Sequence, residues 1–175
     1  AERPKLRISW ATYGIIGLNV LIFLVLIVLG GKGAARAFSR AGYIPARDGL
    51  FSFRLLTSMF LHAGVFHLVM NMFFLYVFAR AVEDALSHLR FGLVYLACGV
   101  MGSVVYGLLH SSSSVPVVGA SGAISGIMGC YMALFPTNHV DTFIFFGYYI
   151  RVKKLPAFVV VGAGVVIETA YALLG

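Results

Sequence analysis

The sequence predicts an all-α membrane protein, a polytopic bundle of five spanning helices, and three observations carry that expectation. Of its 175 residues 61% are hydrophobic and only 11% charged, with mean hydropathy +0.96, which is more apolar surface than a soluble domain of this size can hide. The apolar residues gather into long segments bounded by charge, proline or a serine run. The polar residues inside those segments are few, and they are of types that do chemistry. The whole chain, 1–175, reads as a single transmembrane domain without a soluble module, linker or internal repeat.

Residues 10–29 form twenty positions without a charge, enough at ~1.5 Å per residue to cross a ~30 Å hydrocarbon layer. The glycines after them make no convincing cleavage site, so this segment is read as a spanning helix and not as a signal peptide. Four further segments follow, at 55–82, 91–109, 119–135 and 155–174. The serine run 111–114 reads as a turn. Residues 140–149 are apolar but too short to cross, and are expected at the membrane interface.

The net charge of +7 sits at helix ends, where it speaks for lipid headgroups and topology; no groove-reading motif accompanies it, so no nucleic acid is expected. With a cytoplasmic amino terminus, Arg3, Lys5, Arg7, Arg80, Arg90, Arg151, Lys153 and Lys154 lie inside. Lys32, Arg36, Arg40, Arg47 and Arg54 lie outside. That bias agrees with the positive-inside rule. The long connection after the first helix is also compatible with an interfacial position, its arginines reaching headgroups while its aromatics stay in lipid. Cys98 and Cys130 fall in apolar segments with no metal or disulfide spacing and are read as small buried hydrophobes. No metal site or cofactor signature is present.

The second segment contains "LHAGVFHLVMN". His67 and Asn71 are four apart, which places them on one helical face, with His62 about one turn toward the outer end. Such residues also serve as plain hydrogen-bond links between helices. The fourth segment opens with "GASG", where Gly119 and Gly122 flank Ser121. Glycines at this spacing, with Gly126 and Gly129, suit close helix packing as well as a nucleophile. Geometry weighs for chemistry. From Ser121 to Phe135 a helix rises only ~21 Å, so a helix reaching one surface at its far end begins below the other. Non-helical backbone at that depth must be buried in protein or line water. A helix amino terminus there, the Ser121 amide, the Asn71 carboxamide and the His67 ring supply the donors that stabilise an oxyanion.

"HAGVFHLVMN" followed by "GASG" resembles the rhomboid family of intramembrane serine proteases, whose second helix carries HxxxxHxxxN and whose fourth carries GxSG. Phe53–Arg54 is similar to the family's WR pair, with Phe in place of Trp, and Glu83 stands where the family often has an acid closing helix two. The resemblance implies a six-helix bundle, of which five helices are present here. It implies that Ser121 attacks a peptide bond of a transmembrane substrate, that His67 and Asn71 hold the oxyanion, and that His62 has a supporting role.

It also implies a catalytic histidine on a sixth helix. No sixth segment follows within these residues, and the base is unassigned. His88 and His139 belong to cytoplasmic ends; His139 is eighteen residues from Ser121, ~27 Å along a helix. His110 ends the third segment on the outer side. Three explanations stand: a chain incomplete at its carboxyl terminus, a second chain supplying the sixth helix, or a relative that no longer cleaves. The first is preferred, and the isolated chain is then expected to be inactive. The expected function is intramembrane serine endopeptidase. The alternative is an inactive rhomboid-like protein that binds transmembrane clients, and a small transporter ranks last because no inverted repeat is visible. The expected location is a bacterial inner membrane. Ser125 is expected to pack, and Glu168 to hydrogen-bond within the bundle.

Overall fold

A computed structural model describes residues 8–146 and 149–174. Arg3, Lys5 and Arg7, on which part of the topology expectation rests, lie outside them. In chain order the elements are α1 (Trp10–Ala41), α2 (Pro45–Asp48), α3 (Arg54–Thr57), a 3₁₀ turn (Ser58–Phe60), α4 (Val65–Leu86), α5 (His88–Leu109), α6 (Ser121–Leu134), β1 (His139–Phe146), β2 (Tyr149–Pro156) and α7 (Ala157–Leu174). Among the described residues α1, α4 and α5 are long and apolar enough to cross a membrane, and α6 is a shorter apolar helix. The chain falls into two compact units, Ala1–Ile127 and Met128–Gly175.

In the first unit, α1 carries a break at Gly30, whose φ of 67° and ψ of 179° are not helical. Glycine adopts that conformation without the Cβ clash other residues would meet. The break falls where the uncharged run of 10–29 ends, and a second helical piece continues to Ala41.

Both ends of α1 are satisfied by side chains from elsewhere. The buried Glu83 carboxylate of α4 accepts from the amides of Ala11 and Thr12, each at 2.9 Å, and from the Thr12 hydroxyl. Those are among the amides a helix cannot bond internally, and a carboxylate there also meets the positive end of the helix dipole. His88, at the start of α5, pairs with the same carboxylate. At the far end, the Ser39 carbonyl accepts from Arg47 Nη1 (2.6 Å), that of Arg40 from Arg54 Nε (2.7 Å) and that of Ala41 from Thr57 Oγ1 (2.7 Å). The Phe38 carbonyl accepts from the Gly42 amide at 2.9 Å.

Between the two arginines lies Asp48, its side chain 1% exposed, bonded to Arg47 Nε at 2.6 Å, to Arg54 Nη1 at 3.0 Å and to the Ile44 amide at 2.8 Å. The hydrogen bond from Arg47 holds the Asp48 carboxyl below the usual carboxylate range, with the Ile44 amide and the charges of Arg47 and Arg54 adding to it against burial. Arg47 and Arg54 are thus committed to protein groups. Their side chains remain 37% and 28% exposed.

The expected second helix, 55–82, is divided. Leu61 is extended (φ −94°, ψ 142°) and ends the 3₁₀ turn, and Gly64 is extended again before α4 starts at Val65. The division lets α3 and the 3₁₀ turn pack on α5, with Met59 set against Gly99. The loop 110–120 is stapled by backbone bonds: Tyr43 N to Val117 O (3.2 Å), Val117 N to Tyr43 O (2.7 Å), Ala46 N to Ser113 O (3.1 Å) and Gly119 N to Ser58 O (3.0 Å). Gly102 on α5 and Gly122 on α6 touch backbone to backbone; a Cβ on Gly102 would lie 3.0 Å from the Gly122 Cα.

In the second unit, α6 ends at Leu134 and β1 and β2 form an antiparallel hairpin from His139↔Pro156 to Phe146↔Tyr149. The stretch expected at the interface, 140–149, is therefore mostly strand. The Ala157 amide bonds the Asn138 carbonyl at 3.0 Å, and Asn138 Nδ2 reaches the Tyr131 hydroxyl at 3.4 Å, so the hairpin base is tied to α6. Glu168 falls in α7, with its side chain outside the described residues.

Two predictions follow from this packing. Glu83→Ala leaves two α1 amides and the Thr12 hydroxyl without their acceptor and is expected to cost about 3 kcal/mol, Glu83→Gln distinctly less; unfolding by steric trapping in bicelles measures both. Gly102→Val is expected to cost about 2 kcal/mol by forcing α5 from α6, whereas Gly92→Ala, where nothing lies within 4 Å of the new carbon, changes little.

Candidate active site

The site is assembled from the start of α4, the start of α6 and the loop that precedes each. Gly119 is its pivot. Its φ of +123° belongs to glycine, and a Cβ there would stand 2.7 Å from His67 Cε1 and 2.8 Å from His67 Nε2. The His67 imidazole thus lies directly on the Gly119 backbone, two residues before Ser121. The Gly119 amide is in turn anchored on the Ser58 carbonyl.

Ser121 is the first residue of α6 and is half-buried. The Ile124 amide bonds back to the Ala120 carbonyl at 3.0 Å, so the amides of Ser121, Gly122 and Ala123 precede the first intrahelical bond. They give this corner its donor character. Asn71, one turn beyond His67 on α4, is buried, and its Nδ2 donates to the His67 carbonyl at 2.9 Å. A carboxamide nitrogen carries two hydrogens, so one is left for another acceptor.

His62 is not on the helix that carries His67. It sits in the turn before Gly64, which corrects the expected placement one helical turn above His67. It is nevertheless part of the cluster: its ring meets that of His67 edge-on, centroids 5.2 Å apart. His62 is 1% exposed, and neither ring nitrogen makes a well-formed hydrogen bond among the described residues. Burial first, then the neighbouring His67, push its pKa from 6.5 down to about 4, with the Phe60 carbonyl opposing the shift. Burial against His67 thus favours the neutral form of the His62 imidazole.

The other histidines of the first unit are engaged elsewhere. His88 pairs with Glu83, and His110 stacks on Tyr106 with centroids 4.3 Å apart while its Nδ1 faces the Tyr106 carbonyl at 3.3 Å. His139 belongs to β1. Among the described residues no group of His, Cys, Asp and Glu suits a metal ion. Sequence reasoning missed the backbone partners that position the site, Ser58 for Gly119 and Tyr43 for Val117, because a carbonyl or amide carries no residue-type signal. Gly102 was missed too, although its place in "CGVMG" offered a small-residue clue. Asp48 was legible in principle as the one acid among the basic residues after the first helix.

Residues 51–174 match the family signature of the Rhomboid domain. The chain is 33% identical to the Arabidopsis thaliana RHOMBOID-like protein 6, mitochondrial, over 74% of this chain and 53% of that protein. It is 36% identical to the Bacillus subtilis Rhomboid protease GluP over 70% of this chain and 24% of that protein. It is also 32% identical to the Drosophila melanogaster Inactive rhomboid protein 1, over 50% of this chain and 6% of that protein. The chain thus spans about half of the plant relative's length and about a quarter of the Bacillus one's. With the helical bundle, the glycine-flanked serine on α6 and the histidine and asparagine on α4 already in place, the match over residues 51–174 assigns the chain to the rhomboid family of integral membrane proteins.

Proposed function

We propose that this chain carries the nucleophile and oxyanion site of an intramembrane serine endopeptidase acting on transmembrane substrates. The observation that supports it best is the His67 ring lying on the Gly119 backbone, two residues before a serine that opens a helix. In this reading the Ser121 hydroxyl attacks a substrate carbonyl carbon while its proton passes to a base. The oxyanion that forms accepts from the Ser121 amide, the remaining Asn71 amide hydrogen and a His67 N–H. The amine leaves with the proton from the base, and water cleaves the acyl-enzyme by the same path in reverse.

With only 14 residues, α6 rises ~20 Å, which supports a serine recessed below the membrane surface. The base is unassigned. His67 serves the oxyanion, His62 is held neutral but buried against His67, and His88 and His110 are engaged with other groups. The base is proposed to be a histidine that is not among these, contributed by further chain or by a partner, in a bacterial inner membrane with a cytoplasmic amino terminus. The likeness to a relative named as inactive favours a second reading: a rhomboid-like protein that binds transmembrane clients without cutting them.

Fluorophosphonate labelling separates the two. In a protein complete with its base, Ser121 is expected to label and Ser121→Ala to abolish both labelling and cleavage. Absence of labelling there favours the client-binding reading. Asn71→Ala is expected to lower kcat about 100-fold while the Ser121 label persists at a reduced rate.

His62 gives a pH test. Its folded value near 4 lies below its unfolded value of 6.5, so between these the unfolded chain binds the extra proton and stability falls as pH falls. The loss is complete near pH 4 and absent above about 6.5. His62→Phe is expected to flatten the dependence of melting temperature on pH across that window; parallel curves for the two proteins exclude the assignment.

A further inference from the structure

The hairpin β1–β2 belongs to the second unit. Where the apolar helices α6 and α7 lie in the bilayer, its base stands at the membrane surface, since β1 begins five residues after α6 ends and α7 follows β2 directly. Two strands alone leave the outward backbone groups of both edges unpaired, which excludes the hydrocarbon layer. Strands of eight residues are ~26 Å long, and the ends away from the helices carry Phe143, Ile144, Phe145 and Phe146 on β1 and Tyr149 and Ile150 on β2. Standing upright, the hairpin would hold this aromatic end in water, far from any core, and an isolated hairpin is marginal there. Lying in the headgroup zone, its aromatics occupy the layer they prefer and its edges remain hydrated.

The charge pattern names the occupant. Arg151, Lys153 and Lys154 are all exposed. The register places Lys154 opposite Asp141, a compensated cross-strand position, whereas Arg151 stands opposite Ile144 and Lys153 opposite Thr142 on the same face. That face therefore carries two cations with no acid opposite them, beside an aromatic end and at the bilayer plane. We propose that β1–β2 is a membrane-surface anchor whose Arg151 and Lys153 bind the phosphates of anionic phospholipid headgroups. This interaction stands independently of whether the chain cleaves peptide bonds.

The test uses the full chain in nanodiscs, with Trp10→Phe removing the sole native tryptophan and Tyr149→Trp placing an indole near the hairpin end. The indole is expected to emit as in a membrane interface and to be shielded from iodide. Brominated phosphatidylglycerol is expected to quench it about fivefold more effectively than brominated phosphatidylcholine at equal mole fraction. Arg151→Gln with Lys153→Gln brings that ratio near one, while Lys154→Gln changes it less. A water-like, iodide-quenched indole in both lipids overturns the anchor in favour of a soluble acidic partner. A preference that survives the double substitution overturns the headgroup assignment.

Discussion

In hydrocarbon no water satisfies a stray amide or carbonyl, so every interruption of helix in this protein has to be answered by protein. The structure turns on how loop 110–120 meets that demand. The Tyr43–Val117 pair, the Ser113 carbonyl taken by Ala46 and the Gly119 amide given to Ser58 account for much of its backbone. A serine can open a helix inside a bundle because this loop is already paired when it arrives there. The same staples fix Gly119, and Gly119 fixes the face on which the His67 ring rests. Satisfying the backbone and building the site are one operation.

The loop's partners must themselves be held, and α1 supplies the frame. Its last carbonyls are taken by Arg47, Arg54 and Thr57, which orients the residues from α2 to the 3₁₀ turn, including Ser58. Asp48 keeps the two guanidiniums in place while they do so. Cations at a helix carboxyl end also oppose the negative end of its dipole. The other end of α1 is tied to Glu83, so α4 is clamped near its last turn and carries His67 and Asn71 near its first.

Much of this was legible in the sequence. The run 10–29 without charge marked the straight part of α1 down to the Gly30 break. The i, i+4 spacing of His67 and Asn71 placed both on α4, and the glycines around Ser121 marked a helix start. What failed to show was whatever depends on extended backbone or on partners distant in sequence. His62 looks helical in "LHAGVFHLVMN" because the run stays apolar, yet Gly64 is extended and α4 begins after it. The caps that Arg47 and Arg54 place on α1 did not show either, because one acid among several cations reveals nothing of which carbonyls cap which helix. The hairpin escaped for a similar reason: aromatic alternation in 140–149 is weak, and pairing with 149–156 is a tertiary fact.

A single helix links the two demands. Over 22 residues α4 rises ~33 Å, with the Glu83 clamp near one end and His67 and Asn71 near the other. Glu83 holds one end against the amides of Ala11 and Thr12, and at the other the His67 ring meets Gly119, where no Cβ would fit. The buried acid thus stands at one end of the helix whose other end carries the ring that rests on Gly119.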